Sequence, residues 1–135
     1  MQVVQSSALR LSALVALTFA LPVAAVSAQT VPMRSHWEQV HVRSGVQANS
    51  SPVDGVVWRD FVFLPDTAIP WVRLYFAECH LDKGSYLRIV SLRDGDAQTL
   101  HMEHVEQWQY SSCYLNGHAV MLEIVAAAGS TKNYV

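Results

Sequence analysis

The chain has 135 residues, 51% of them hydrophobic, and carries nine Lys and Arg against eleven Asp and Glu, a formal charge of −2. No run of basic residues occurs anywhere, which argues against a nucleic acid or an anionic membrane as partner. Only two cysteines are present, too few for a disulfide-dense miniature scaffold, so the core must be built from apolar side chains.

Residues 1–28 differ in kind from the rest. Arg10 is the one early charge, Leu11 to Val26 is apolar apart from Ser12, Thr18 and Pro22, and the stretch closes on the small residues Val26-Ser27-Ala28. This is the pattern of a secretory signal cleaved after Ala28. A membrane anchor needs about 20 unbroken apolar residues, whereas Pro22 interrupts this run and no basic stop-transfer cluster follows it. The expected location is therefore secreted, periplasmic or cell envelope, with no membrane contact after cleavage.

Residues 29–55 read as an irregular N-terminal segment, in which Trp37–Val42 has the composition of an edge strand. Asn49-Ser50-Ser51-Pro52 and Asp54-Gly55 are turn formers, and Asn49-Ser50-Ser51 is also a glycosylation sequon in a eukaryotic secretory pathway. Residues 56–135 hold the expected module. Val56–Leu64 reads as a strand with Val57, Phe61 and Phe63 on one face, ended by Pro65-Asp66.

After Pro70, Trp71–Phe76 alternates, with Val72, Leu74 and Phe76 on one side and Trp71, Arg73 and Tyr75 on the other. This segment is expected to be the central strand. Tyr86–Leu92 repeats the pattern with Leu87 and Ile89, and Arg93-Asp94-Gly95-Asp96 predicts a hairpin to residues 97–102. Met102, Val105 and Trp108 then recur at i, i+3, i+6, the spacing of a short helix. A short strand at Cys113–Leu115, an Asn116-Gly117 turn and a strong strand over 119–126 follow. Lys132–Val135 begins like a strand that is cut off, which suggests a truncated module.

Short strands, tight turns and one helix predict an all-β fold of two packed antiparallel sheets, a β-sandwich of jelly-roll or galactose-binding-like type. The expected core is Val72, Leu74, Phe76, Leu87, Ile89, Trp108, Val120, Leu122 and Ile124.

In an exported chain, Cys79 and Cys113 read as a disulfide, with two free thiols as the alternative. His101 and His104, with Glu103 or Glu106, could share a helical face around a metal, but a solvated polar face explains them as well, and no HExxH occurs. Asp94 and Asp96 are oxygen donors for calcium or simply turn makers. His36, His41, His80 and His118 read as surface residues. There is no nucleophile elbow, phosphate loop or Cys-x-x-Cys, so catalytic residues, cofactors and metals are not expected. Trp71, Arg73 and Tyr75 would form an aromatic and basic ligand face if exposed; the alternative is packing under a loop.

Three phrases, read in order, resemble one family: Trp71-Val72-Arg73-Leu74-Tyr75-Phe76, then Gly84–Gly95, then Gln107–Val120, which includes Ser111-Ser112-Cys113-Tyr114-Leu115-Asn116-Gly117. Together they resemble the module that precedes the catalytic domain of secreted bacterial trypsin-like serine proteases. The resemblance covers roughly half of the chain. Cys79 and Cys113 stand where that pattern has other residues, as a lineage-specific disulfide would, and the protease triad has no counterpart before Val135. The resemblance implies a secreted, non-catalytic accessory β-sandwich whose partner is a C-terminal protease domain in a longer protein. The alternative is a free-standing module binding a carbohydrate, glycoprotein or protein ligand.

Overall fold

The computed structural model describes residues His36–Val135; the expected signal segment, residues 1–28, lies outside them. In chain order the elements are β1 (Gly55–Phe63), β2 (Trp71–Val72), β3 (Tyr86–Ser91), β4 (Ala97–Leu100), α1 (Met102–Gln107), β5 (Leu115–Asn116) and β6 (Ala119–Ala126). They form two antiparallel sheets, a four-stranded one in the order β1-β6-β3-β4 and a two-stranded one pairing β2 with β5. The fold is thus all-β with one short helix, as expected. Among the described residues no helix is long and apolar enough to cross a membrane.

β6 and β3 are the inner strands of the large sheet, and the segment that begins at Trp71 is not part of it. Val120, Leu122 and Ile124 point inward from β6, Leu87 and Ile89 from β3, and all five are at most 3% exposed. Val72 and Leu115 of the smaller sheet, and Leu74 just beyond β2, belong to the same hydrophobic cluster. Val105, on the buried side of α1, completes it at 0% exposure. Trp108, expected in the core, is instead the residue that caps α1 and is 41% exposed.

Val57 packs against the core as expected, but beyond it the face of β1 is the reverse of the sequence expectation. A bulge between Val56 and Trp58 shifts the register, so Val62 is buried while Phe61 and Phe63 stand out from the sheet. One extra residue in a strand exchanges its two faces, and nothing in the residue pattern marks where the bulge falls. The β3–β4 hairpin is as predicted, with Leu87 opposite Leu100 and Val90 opposite Ala97. Its turn needs Gly95, which adopts φ +81°.

The expected strand Trp71–Phe76 breaks after Val72. Beyond it Tyr75 and Ser111 make an isolated bridge, Ser112 N donates to Leu74 O at 3.0 Å, and Phe76 N donates to Tyr110 O at 2.8 Å. The Ser112 hydroxyl accepts from the Leu74 amide at 2.9 Å. A side-chain oxygen has taken a place in the ladder that a backbone carbonyl would fill.

Trp37–Val42 forms no strand. The chain from His36 lies against the domain as an irregular strap, with Val42 packed on the core. Asn49 is buried, and its amide donates to Val53 O and Ala126 O, both at 2.9 Å, so in the folded domain its side chain is a structural tie. At the other end Asn133, fully buried, pairs its backbone with Gln47 and accepts from Asp82 N through Oδ1 at 3.0 Å. Ser44 N donates to Val135 O at 3.0 Å, and His80 pairs with Tyr134. The last residues are therefore knitted into the fold through isolated bridges.

Candidate functional site

Strand alternation over residues 71–75 sends Val72 and Leu74 inward, 7% and 8% exposed, and leaves Trp71, Arg73 and Tyr75 on the opposite side. Tyr114 joins them from the chain beside β5, its ring 4.8 Å from Trp71 in an edge-on contact at 83°. The Arg73 guanidinium lies between two rings, 5.1 Å from the centroid of Tyr75 and 5.3 Å from that of Tyr114. Trp37, from the strap, continues the row with its ring 4.7 Å from Tyr75. The order along the surface is Trp37, Tyr75, Arg73, Tyr114, Trp71.

This stripe is solvent-facing, with Trp37 69%, Tyr75 52% and Tyr114 56% exposed. Each cation-over-ring contact contributes about 0.5–1 kcal/mol at such a surface. Arg73 is also tied down from below, its Nη2 donating to Ser111 Oγ at 2.6 Å while Ser111 Oγ donates to Trp108 O at 2.6 Å. The chain reaches Ser111 through Gln109 and Tyr110, at φ 54° and 57°, a left-handed pair that non-glycine residues adopt at a cost. The strained corner delivers Ser111 to Arg73.

The Arg73 Nε is buried and has no hydrogen-bond partner among the described residues. The guanidinium thus contacts two rings and donates to Ser111. Arg73, half-buried, links the two tyrosines, and the most exposed part of the stripe is formed by the rings of Trp37, Tyr75 and Tyr114. On its far side Tyr75 borders a cavity of about 450 Å³ lined by Val40, Val42, Val62, Leu74, Phe76 and Leu122, with Arg43 and Glu78 at its edge.

The structure therefore brings Trp71, Arg73 and Tyr75 together and adds Tyr114 and Trp37. Tyr114 was within reach of sequence reasoning, since a strand at 113–115 pairing with 71–73 sets it beside Arg73. Trp37 carries no such signal, because it lies in irregular chain.

Cys79 and Cys113 are both free, so the expected disulfide is not present in the structure. Burial pushes the Cys79 thiol up to about 11. Burial also raises Cys113, and a backbone hydrogen bond and the charge of Arg73 only partly offset it. Neither is a nucleophile poised for attack at neutral pH.

The remaining candidates have structural partners. His101 Nδ1 lies 3.0 Å from Ser85 O, a carbonyl that can only accept, so that nitrogen carries the proton. His104 Nδ1 accepts from the His101 amide at 3.3 Å, at the start of α1. Asp94 accepts from Asn116 Nδ2 at 2.6 Å and from Asp96 N at 3.2 Å; with Ser91, these bonds hold its carboxyl below the usual range. Among the described residues, no three His, Cys, Asp or Glu side chains gather in a metal-binding group.

A second polar centre lies on the large sheet. Glu123 of β6 is 0% exposed, and its cross-strand neighbours are Arg59 of β1 and Arg88 of β3. Arg59 Nε donates to Oε1 and Arg88 Nε to Oε2, each at 2.6 Å, and a second nitrogen of each arginine contacts the same oxygen. Burial alone would raise the Glu123 pKa, but hydrogen bonds and charge from Arg88 and Arg59 outweigh it and hold the carboxyl below its ordinary value.

Comparison with family profiles, curated proteins and solved structures returns no match to this chain.

Proposed function

We propose that this chain is an exported, non-catalytic accessory module of β-sandwich, jelly-roll-like type that binds the glycan of a polysaccharide or glycoprotein along the stripe Trp37–Tyr75–Arg73–Tyr114–Trp71. The two antiparallel sheets contribute to one shared hydrophobic cluster, which supports the sandwich reading. The observation that carries the function is the stripe itself, four aromatic rings and one cation in unbroken contact with three of the rings more than half exposed. Trp and Tyr offer a large apolar face with a polar tip, suited to the C–H face of a sugar whose rim is hydroxylated. Because each ring already rests on its neighbour, little side-chain entropy remains to be lost on binding. The resemblance to the module ahead of trypsin-like catalytic domains fits the same accessory role, with recognition delivered to a protease partner in a longer protein.

The test is tryptophan fluorescence titration of residues 29–135 against a panel of soluble plant, bacterial and animal polysaccharides. Saturable quenching by at least one of them, weakened roughly tenfold or more in Tyr114→Ala, is expected. Absence of saturable quenching across the panel would overturn the glycan assignment.

A further inference from the structure

We infer that the outer face of the four-stranded sheet is covered, in the working protein, by another folded polypeptide whose surface is apolar and places a carboxylate over Arg59 and Arg88. The inference is independent of the aromatic stripe, which lies on the smaller layer.

In a two-layer fold the outward residues of a sheet are ordinarily polar, because only one face meets the core. Here the core face is supplied by Val62, Leu87, Ile89 and Leu122, yet Phe61, Phe63, Met121 and Val90 place apolar side chains at outward positions as well. Phe61 lies across from Met121, which lies across from Val90, and Phe63 lies across from Ala119. Phe61 and Phe63 are 43% and 63% exposed and stack on each other at 6.1 Å. The four strands at about 4.8 Å spacing present on the order of 400–500 Å² of outer face in all, charged residues included, and its exposed apolar part is centred on Phe61 and Phe63, with Met121 and Val90 half-buried beside them.

In the middle of this face lies the Arg59–Glu123–Arg88 group. Two cations against one anion leave a net positive charge, and each guanidinium directs two nitrogens to a single carboxylate oxygen. No other hydrogen bond to either arginine occurs among the described residues, so donors remain on the outer side, where Arg59 and Arg88 are 52% and 40% exposed. A surface complementary to this one is apolar around a negative charge. A second copy stacked on an axis through the group would instead set like charges against each other. The area is also modest, below the ~800 Å² per partner of a typical free-standing complex and within the range of contacts between neighbouring domains. The occupant is therefore a protein surface held close by additional means.

The experiment places the photo-crosslinking residue p-benzoylphenylalanine at Phe61, and separately at exposed Lys83 as control, in the full-length protein made by its native host. The expected result is one peptide adduct from position 61, absent from Lys83, whose sequence combines apolar residues with Asp or Glu. Phe63→Ser, which leaves Arg59, Glu123 and Arg88 untouched, should lower its yield roughly tenfold while the thermal melt stays the same. Four results would each overturn the inference: an adduct to a second copy of these residues, an adduct to lipid or glycan, a peptide lacking acidic residues, or no adduct above the control.

Discussion

Leu74 and Ser112 are bound to each other twice, once through backbone and once through a side chain. The Leu74 carbonyl accepts from the Ser112 amide at 3.0 Å, and the Leu74 amide donates to the Ser112 hydroxyl at 2.9 Å. Both residues are buried, so neither amide nor hydroxyl has water as an alternative. Together with the Phe76–Tyr110 and Arg73–Ser111 bonds, this pair fastens the segment after β2 to the chain ahead of β5.

Ser112→Ala should therefore destabilise the domain by about 1–3 kcal/mol, the cost of a buried amide left without its acceptor. Urea denaturation of the two proteins measures it. A loss below about 0.5 kcal/mol would mean that the segment re-pairs through backbone alone.

The two faces of the large sheet should respond oppositely to truncation. Ile89, fully buried, should lose about 2–5 kcal/mol on change to alanine. Phe63, 63% exposed, should lose no more than about 0.5 kcal/mol when changed to serine. Equal losses at the two sites would reverse the assignment of inner and outer face.

Stability should fall in acid because of Glu123. Its folded-state pKa lies below the ordinary value of 4.5, so its contribution is fully present above about pH 4.5 and is lost as pH drops through the lower, folded value. Asp82 acts in the same direction, held down chiefly by the amides of Thr131 and Lys132 and also by His80. Urea midpoints at pH 7, 5, 4 and 3 should be level between the first two and decline thereafter. Glu123→Gln should lose about 3 kcal/mol at pH 7, since two cations are left facing a neutral amide, and should flatten the acid limb. An unchanged acid limb in that variant would remove Glu123 as its source.

Thiol reactivity gives a direct reading of the cysteines. Protein purified without reductant and then denatured should release two thiols per chain to Ellman's reagent, and the native protein should react far more slowly. Zero thiols after denaturation would mean that a bridge forms in the protein as exported.

The parts of this fold that were legible in the sequence are those governed by repetition. Leu87 and Ile89, or Val120, Leu122 and Ile124, alternate over enough residues to identify a strand and its inner face. Val105 likewise marked a helix by its spacing. Where a single local event decides the outcome, pattern fails: one bulge near Val57 turned Phe61 and Phe63 outward, and one serine hydroxyl ended β2 at Val72. The site divides the same way. Trp71, Arg73 and Tyr75 share a side because strands alternate, while Trp37 reaches them by a path that depends on tertiary contacts.

The bridge between Gln47 and Asn133 has a mechanical consequence. It sets the beginning of the described domain beside its last residues, so tension on the two ends would load the strap's few hydrogen bonds one after another, like a zipper. The eight-residue seam between β1 and β6 would feel that load only after the strap had peeled away. Under traction the domain should lengthen first through residues 36–49, exposing the apolar cavity wall behind Val42 and freeing Trp37 from the stripe while the sheets still hold.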